Sequence, residues 1–442
     1  MSCSIGGKRQ KTGSLRALES SSSPPEPELN LDDSLLAEIL RRLPGPRFLF
    51  QCACVCKQWY SVISSPYFAR LFINNNIALL DEDHEEEENN VLVSYKKNPF
   101  SVIASYATHP LFGNPNRKTC NVLLGSGRDD PLFQTLDLRF DYLPVKKQRV
   151  HVLATFNDLV LCCSGRNRRF LVNPFTRKWV ALPPVPKKGN CSRVSCGLVG
   201  EPHCVKDSKG DYTFNSQFKY RVLLIADALH ARTPSVRMYC SETGRWRGSV
   251  LKVENDLRVY VVHSNVIAYK GKLLWYNGRH IIDYDPFIIS KTRYIKAPSN
   301  CPTPSDNGHL VKYSIGVCRG FLRLVVWECI ATFHHVDVTE WELEDYRLGI
   351  WKEVHKRRLP DFIKCHRHWT LPVLSGHPSD PNVVYHIGDD FNIISCQWHT
   401  TDFEVAAEMS PKLTAHPSLD LETFPFVLPL WPTPVPVPPQ HS

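Results

Sequence analysis

The sequence predicts an α+β multidomain chain, with a short N-terminal helical unit followed by a long all-β domain. Three observations carry this. Between Asn30 and Phe72, apolar residues recur at helical spacing, with Leu35, Leu36, Ile39, Leu40 and Leu43 on one stripe. After Val91, short runs rich in Val, Leu, Ile, Tyr and Trp alternate with Gly, Asn, Asp and Pro turn signals, which is strand chemistry. Those runs come in sets that repeat along the chain.

In the first helix, Asp32 or Asp33 can cap the start, and Pro44, Gly45 and Pro46 stop it. A second apolar band, Leu49, Phe50, Ala53, Cys56, Trp59, Tyr60 and Ile63, runs to the turn Ser64–Ser65–Pro66. Two or three helices of this length bury too little surface to be stable alone. The segment is therefore expected to dock on the rest of the chain or on another protein.

These residues carry a resemblance. LLAEILRRLP followed by FLFQCACVCKQWYSVISSPYF resembles an F-box, in particular the plant form with a Cys-Lys-x-Trp segment and a closing Ile-Ser-Ser-Pro. Where many F-boxes open with Leu-Pro, this chain has Asn30–Leu31. The resemblance implies a handle for the Skp-family adaptor of an SCF (Skp–cullin–F-box) ubiquitin ligase, and through it for the cullin and RING subunits. The family's apolar contact positions fall on Leu31, Leu35, Leu36, Ile39, Leu40, Leu43, Pro44, Leu49, Val55, Cys56, Trp59 and Ile63. Some of these must instead hold the helices to each other, and the sequence does not separate the two sets.

Around this unit, residues 1–28 are polar and Ser-rich with the run SSSPPEPE, which reads as a disordered leader. The F-box spans 29–73. Residues 74–90 form a linker in which the acidic run from Asp81 to Glu88 repels itself and resists packing.

Residues 91–408 hold the repeats. The clearest runs are Asp158–Pro183, Tyr220–Trp246, Val266–Phe287, Phe321–Val354 and Asn382–Trp398, with a fainter one in Val91–Pro144. Their spacing is near the ~40–50 residues of a four-stranded propeller blade, and closing such a ring leaves few sheet edges exposed. Two packed sheets are the alternative architecture. The Asn-Pro-x-Thr-x-x-Trp signature at Asn173, Pro174, Thr176 and Trp179, and the stretch VTEWELEDYRLGIWKEVH, resemble the F-box-associated domain of plant F-box proteins, a kelch-like propeller. The Trp and Tyr residues at repeat ends read as packing between blades. Residues 409–442 are Pro-rich and read as an extended tail that excludes helix and central strand.

Composition bounds the function. The chain of 442 residues is too long for one small core. No stretch reaches the ~18–20 apolar residues of a membrane helix, and the first residues lack the apolar core of a secretory signal. The expected location is cytoplasm and/or nucleus. The 16 Cys are scattered through would-be core segments, so they read as buried thiols and not as a metal framework. The net charge of +9 comes from small separated clusters without a nucleic-acid-binding signature. Nucleophile-elbow, zincin and phosphate-loop motifs are lacking, so neither a catalytic residue nor a cofactor is expected. The expected function is recruitment, in which the helices hold the adaptor and the propeller binds an unidentified protein target. The alternatives are a non-catalytic F-box scaffold and a propeller-type ligand-binding protein outside the ligase.

Overall fold

Helices come first, and each boundary has a local cause. α1 (Asp33–Leu40) starts at Asp32 in an extended N-cap conformation. The Asp32 carboxylate makes no capping hydrogen bond. The Asp33 carboxylate instead accepts from Gln58 Nε2 at 2.9 Å, tying α1 to α3. α2 (Pro46–Ala53) and α3 (Lys57–Ile63) follow. α4 (Pro66–Ala78) opens with Pro66 at its first helical position. Ser65 caps it, its Oγ accepting from the Phe68 N–H at 3.1 Å.

The computed structural model describes residues 32–43, 46–53, 55–78, 100–108, 119–124, 136, 138–145, 150–165, 168–186, 193–201, 204–206, 212–214, 218–227, 235–250, 265–288, 292–302, 309–330, 335–359, 373–377, 380–387, 392–400, 403–407, 419–427 and 431–436. The expected leader and acidic run lie outside them.

The strands form antiparallel sheets in chain order. β1 (Phe100–Thr108) and β2 (Thr119–Leu124) belong to a three-stranded sheet, discussed below with its third member. β3 (Val150–Phe156), β4 (Leu159–Ser164), β5 (Arg168–Asn173) and β6 (Lys178–Leu182) make the second sheet. β7 (Arg193–Gly200), β10 (Tyr220–Asp227), β11 (Ser235–Cys240) and β12 (Arg245–Val250) make the third. A small hairpin of β8 (Cys204–Lys206) and β9 (Tyr212–Phe214) is inserted after β7. β13 (Ile267–Tyr269), β14 (Lys272–Tyr276), β15 (His280–Tyr284) and β16 (Thr292–Lys296) make the fourth. β17 (His309–Cys318), β18 (Phe321–Ile330), β19 (His335–Asp345) and β20 (Ile350–Arg358) make the fifth. β21 (Val373–Gly376), β22 (Val383–Ile387), β23 (Ile393–Gln397) and β24 (Phe403–Ala407) make the sixth. β25 (Leu419–Val427) returns to pair with β1, so that the first sheet has the order β2–β1–β25.

Five four-stranded sheets and this composite sheet form a ring, the propeller that the repeats predict. Around its axis, β25 lies against β3, β3 against β7, β7 against β13, β13 against β17, β17 against β21, and β21 against β25. Four strands that the repeats leave out of their units, β3, β7, β17 and β21, are inner strands, each placed ahead of a segment whose signals are clearest. Two-residue turns join inner strands to their neighbours where φ is positive at both positions, as at Lys270 (47°) with Gly271 (73°) and Arg319 (50°) with Gly320 (85°).

The core is divided among the spaces between sheets. In β4, Val160 and Cys162 pack toward the first sheet with Phe424 and Phe426, while Leu159 and Leu161 pack toward the third with Leu198 and Tyr220. Strands buried on both faces read as continuous apolar runs such as Leu-Val-Leu-Cys, where a half-exposed strand alternates. Tryptophans near the outer rim also join neighbours. Trp246 Nε1 donates to the Pro183 carbonyl at 2.8 Å, and Trp351 Nε1 to the Lys296 carbonyl at 2.9 Å.

The expectation of a bare tail from 409 onward needs correction. β25 runs the length of β1, from Phe100↔Val427 to Thr108↔Leu419. Its proline, Pro425, is tolerated because β25 has a ladder neighbour on one side only. The Pro425 carbonyl accepts from Thr155 Oγ1, and the Thr423 carbonyl from Asn265 Nδ2 at 2.6 Å. Farther on, Thr433 is buried. Its N–H donates to the Asp158 carboxylate (3.0 and 3.3 Å), and its carbonyl accepts from Asn173 Nδ2 at 2.9 Å. Asn173 Nδ2 also donates to Asp158 Oδ2 at 2.7 Å.

Two outcomes follow from this closure. Phe426→Ala empties part of the shared core of the first and second sheets, where Phe426 is fully buried and stacks on Phe175 at 5.5 Å. A loss of about 3–5 kcal/mol is expected from urea unfolding. Burial pushes the Asp158 carboxyl up from 3.8 to about 7, against the hydrogen bonds from Thr433 and Asn173 that favour its charge. Between those values the folded chain keeps a proton that the unfolded chain loses, so this group's contribution to stability falls as pH rises from about 4 through 7. The urea midpoint of Asp158→Asn, compared with wild type at pH 5.5 and 8, is expected to show a smaller decline.

Candidate functional site

The helical unit is built on an inward and an outward set of apolar side chains. Leu36, Ala37, Leu40, Leu49, Val62, Ile63, Phe68 and Phe72 form its buried cluster, with Leu43, Cys52, Ala53 and Trp59 partly covered at its margin. The outward set is large for a small surface. Leu35 is 52%, Ile39 48% and Val55 64% exposed, and Phe48, Tyr60 and Tyr67 are also exposed. Leu35 and Ile39 stand one turn apart on α1, so they form a single apolar strip on that helix. Glu38 lies between them in sequence and is held by Arg41 and Arg42. Their hydrogen bonds lower its carboxyl to about 2, so it stays charged at any physiological pH.

The structure thus divides the twelve positions that the F-box resemblance implies. Leu36, Leu40, Leu49 and Ile63 face inward and hold the helices together. Leu43 and Trp59 sit at the margin. Leu35, Ile39, Val55 and Cys56 face outward. Leu31 and Pro44 lie outside the described residues. Helical periodicity finds an apolar band but not its depth. The band is too wide for one face, because residues three and four apart straddle the line between core and surface. Phe48, Tyr60 and Tyr67 belong to the outward set but not to the twelve. Their signal was present in the sequence as large apolar residues at helical spacing beyond what a small core can hold.

The unit is covered from one side by its own chain. Trp431 packs against its buried cluster, with its ring 6.4 Å from that of Phe72, and α4 lies against β9. The exposed strip of α1 is outside this contact set.

At the centre of the ring, Thr155, Phe156, Asn265, Val266, Val317 and Phe424 line a narrow cavity, together with neighbouring residues of β3, β13 and β25. Among the described residues, its walls carry no carboxylate, imidazole, thiol or cationic side chain. Among the described residues, no group of three or more His, Cys, Asp or Glu could hold a metal ion, and no helix is long and apolar enough to cross a membrane.

Two family matches coincide with these two structural units. Residues 28–71 match the F-box domain family, and residues 139–423, more than half of the chain, match the family described as "F-box protein At3g26010-like, beta-propeller". A relative from Arabidopsis thaliana, the "Putative F-box/kelch-repeat protein At1g15680", is 25% identical over 379 residues, covering 81% of this chain and 78% of the relative. Solved structures that resemble it include YCF48 bound to D1 peptide (10% identity, TM-score 0.29, covering 59% of this chain and 67% of that one). Another is the α-L-arabinanase of Penicillium chrysogenum complexed with arabinobiose (12% identity, TM-score 0.30, covering 55% and 72%). At that level of superposition neither bears on what this chain does.

Inward and outward leucines should separate cleanly. Leu36→Ala is expected to cost about 2–5 kcal/mol of helical-unit stability, whereas Leu35→Ala should stay within about 0.5 kcal/mol. Urea unfolding followed by far-UV circular dichroism checks both.

Proposed function

The chain belongs to the At3g26010-like F-box β-propeller family, and from that premise we propose that it recruits protein targets to an SCF-type ubiquitin ligase. In this reading the F-box binds a Skp-family adaptor, the adaptor brings the cullin and RING subunits, and the propeller binds the target. Ubiquitin transfer is then carried out by the other subunits. This chain supplies proximity, turning a bimolecular encounter into a local one at high effective concentration.

One observation carries the reading. Leu35, Ile39 and Val55 stay open to solvent although the helices beneath them are sealed by Leu36, Leu40 and Ile63 on one side and by Trp431 on another. A cluster of large apolar side chains on so small a unit is what a partner's apolar groove would cover. F-box domains generally bind Skp1-family adaptors, which supports an adaptor of that family as the partner.

The test uses the outward residues alone. Leu35→Asp with Ile39→Asp places two charges in the expected contact and leaves the helical core untouched. Capture of a Skp-family adaptor is expected to fall by at least about 100-fold, since buried apolar contacts of this kind cost about 2 kcal/mol or more each. Unchanged circular dichroism would show that the helices remain folded. Adaptor capture at wild-type level by the double variant would sink the proposal.

A further inference from the structure

We propose that residues 431–435 act as a built-in peptide ligand, seated between the F-box and the ring, on which the fold and placement of the F-box depend. Three contacts within five residues carry this. Trp431 covers the F-box cluster beside Phe72. Thr433 is gripped through its backbone by Asp158 and Asn173. Val435 packs into the core shared by the second and third sheets, near Leu161 and Tyr220.

The sequence suits that role. In Trp431–Pro432–Thr433–Pro434 the two prolines fix φ and remove their own amide donors. Thr433 therefore carries the single backbone N–H of residues 432–434, and that N–H is the one Asp158 accepts. Proline on both sides also keeps the segment extended, so little freedom remains to be lost on docking.

The receiving notch is equally specific. Asp158 lies in the β3–β4 turn and Asn173 ends β5, where the next turn begins. In an antiparallel sheet these two connections open on the same end. Both residues are fully buried. The Asn173 side-chain oxygen, Oδ1, holds its own turn by accepting from the N–H groups of Phe175 (3.0 Å) and Thr176 (3.1 Å). Its amide nitrogen is thereby turned toward Asp158 and the Thr433 carbonyl. The Asn-Pro-x-Thr signature is thus half of a receptor for a segment 260 residues away in sequence.

The F-box needs such a ligand for a reason of size. Its helices have 8, 8, 7 and 13 residues and share a cluster of eight buried side chains. Helices this short draw their stability from packing and not from propensity. Trp431 adds a second indole to that cluster beside Trp59, brought in from outside the helices, and the Asp158–Asn173 notch fixes where it sits.

Amide hydrogen exchange on the full chain tests the proposal without reference to any ligase. Trp431→Ala is expected to speed exchange in α1 and α4 by about 10- to 100-fold, while β18 and β19, outside the cores that residues 431–435 touch, keep wild-type protection. Trp431→Phe should restore most of it. Thr433→Pro deletes the donated N–H within an already extended segment and should also release the helices, whereas Thr433→Ser, which keeps the N–H, should not. Wild-type helical exchange in both Trp431→Ala and Thr433→Pro would overturn the proposal, as would equal acceleration in β18 and β19, which would mark general unfolding.

Discussion

The pairing of β25 with β1 is the constraint on which the rest of the molecule depends. A ring of sheets packs each inner strand against two others, so a missing strand would open two sheet-to-sheet cores at once. β25 fills the innermost place of the first sheet and touches both β3 and β21. Joining segments some 300 residues apart carries a large loop-closure cost. That cost is offset by a nine-residue ladder and by burial of Phe424 and Phe426. The same closure hides edges that would otherwise invite pairing with other chains.

Between the sheets the packing is shared, and this accounts for the uneven look of the repeats. Second strands such as β4 and β14 send alternate residues into two different cores, so they read as near-continuous apolar runs. At the outer strands the demand is lighter, and a single tryptophan at the second position does the joining. Trp179, Trp246 and Trp351 all occupy that position, in β6, β12 and β20. Trp246 and Trp351 reach back to a carbonyl at the end of the preceding sheet, and Trp179 meets Phe170 of its own sheet edge to face at 5.8 Å. In β16 the same place is taken by Arg293, which packs over the Tyr346 ring of the next sheet instead. The joint between sheets thus tolerates a change of chemistry at a fixed location.

The F-box is covered on one side by the closing segment of the ring, while the apolar strip of α1 stays exposed. Its inward residues are covered by each other and by Trp431, which is carried by the same closing segment as β25. The division of labour is physical. A helical unit of this size cannot supply a full core, so one side is closed from within the chain. The side carrying Leu35 and Ile39 stays exposed.

The amino-acid sequence by itself determined the two-part organisation, the helical spacing at Leu35–Leu43, the strand chemistry after Val91, and the outer-strand tryptophans. These are local signals, set by periodicity and turn residues within a few positions. It also placed the F-box and indicated a ring, since repeats of one length need a closed arrangement to bury their faces. It could not sort Leu36 from Leu35, because the two are neighbours on one apolar band and only the packed helices decide which turns inward. It could not reveal β25 or the seat of Thr433, because a proline-rich run has no local preference for a strand. Only a partner strand with one free side, and a buried carboxylate and amide some 260 residues away, give that run its structure.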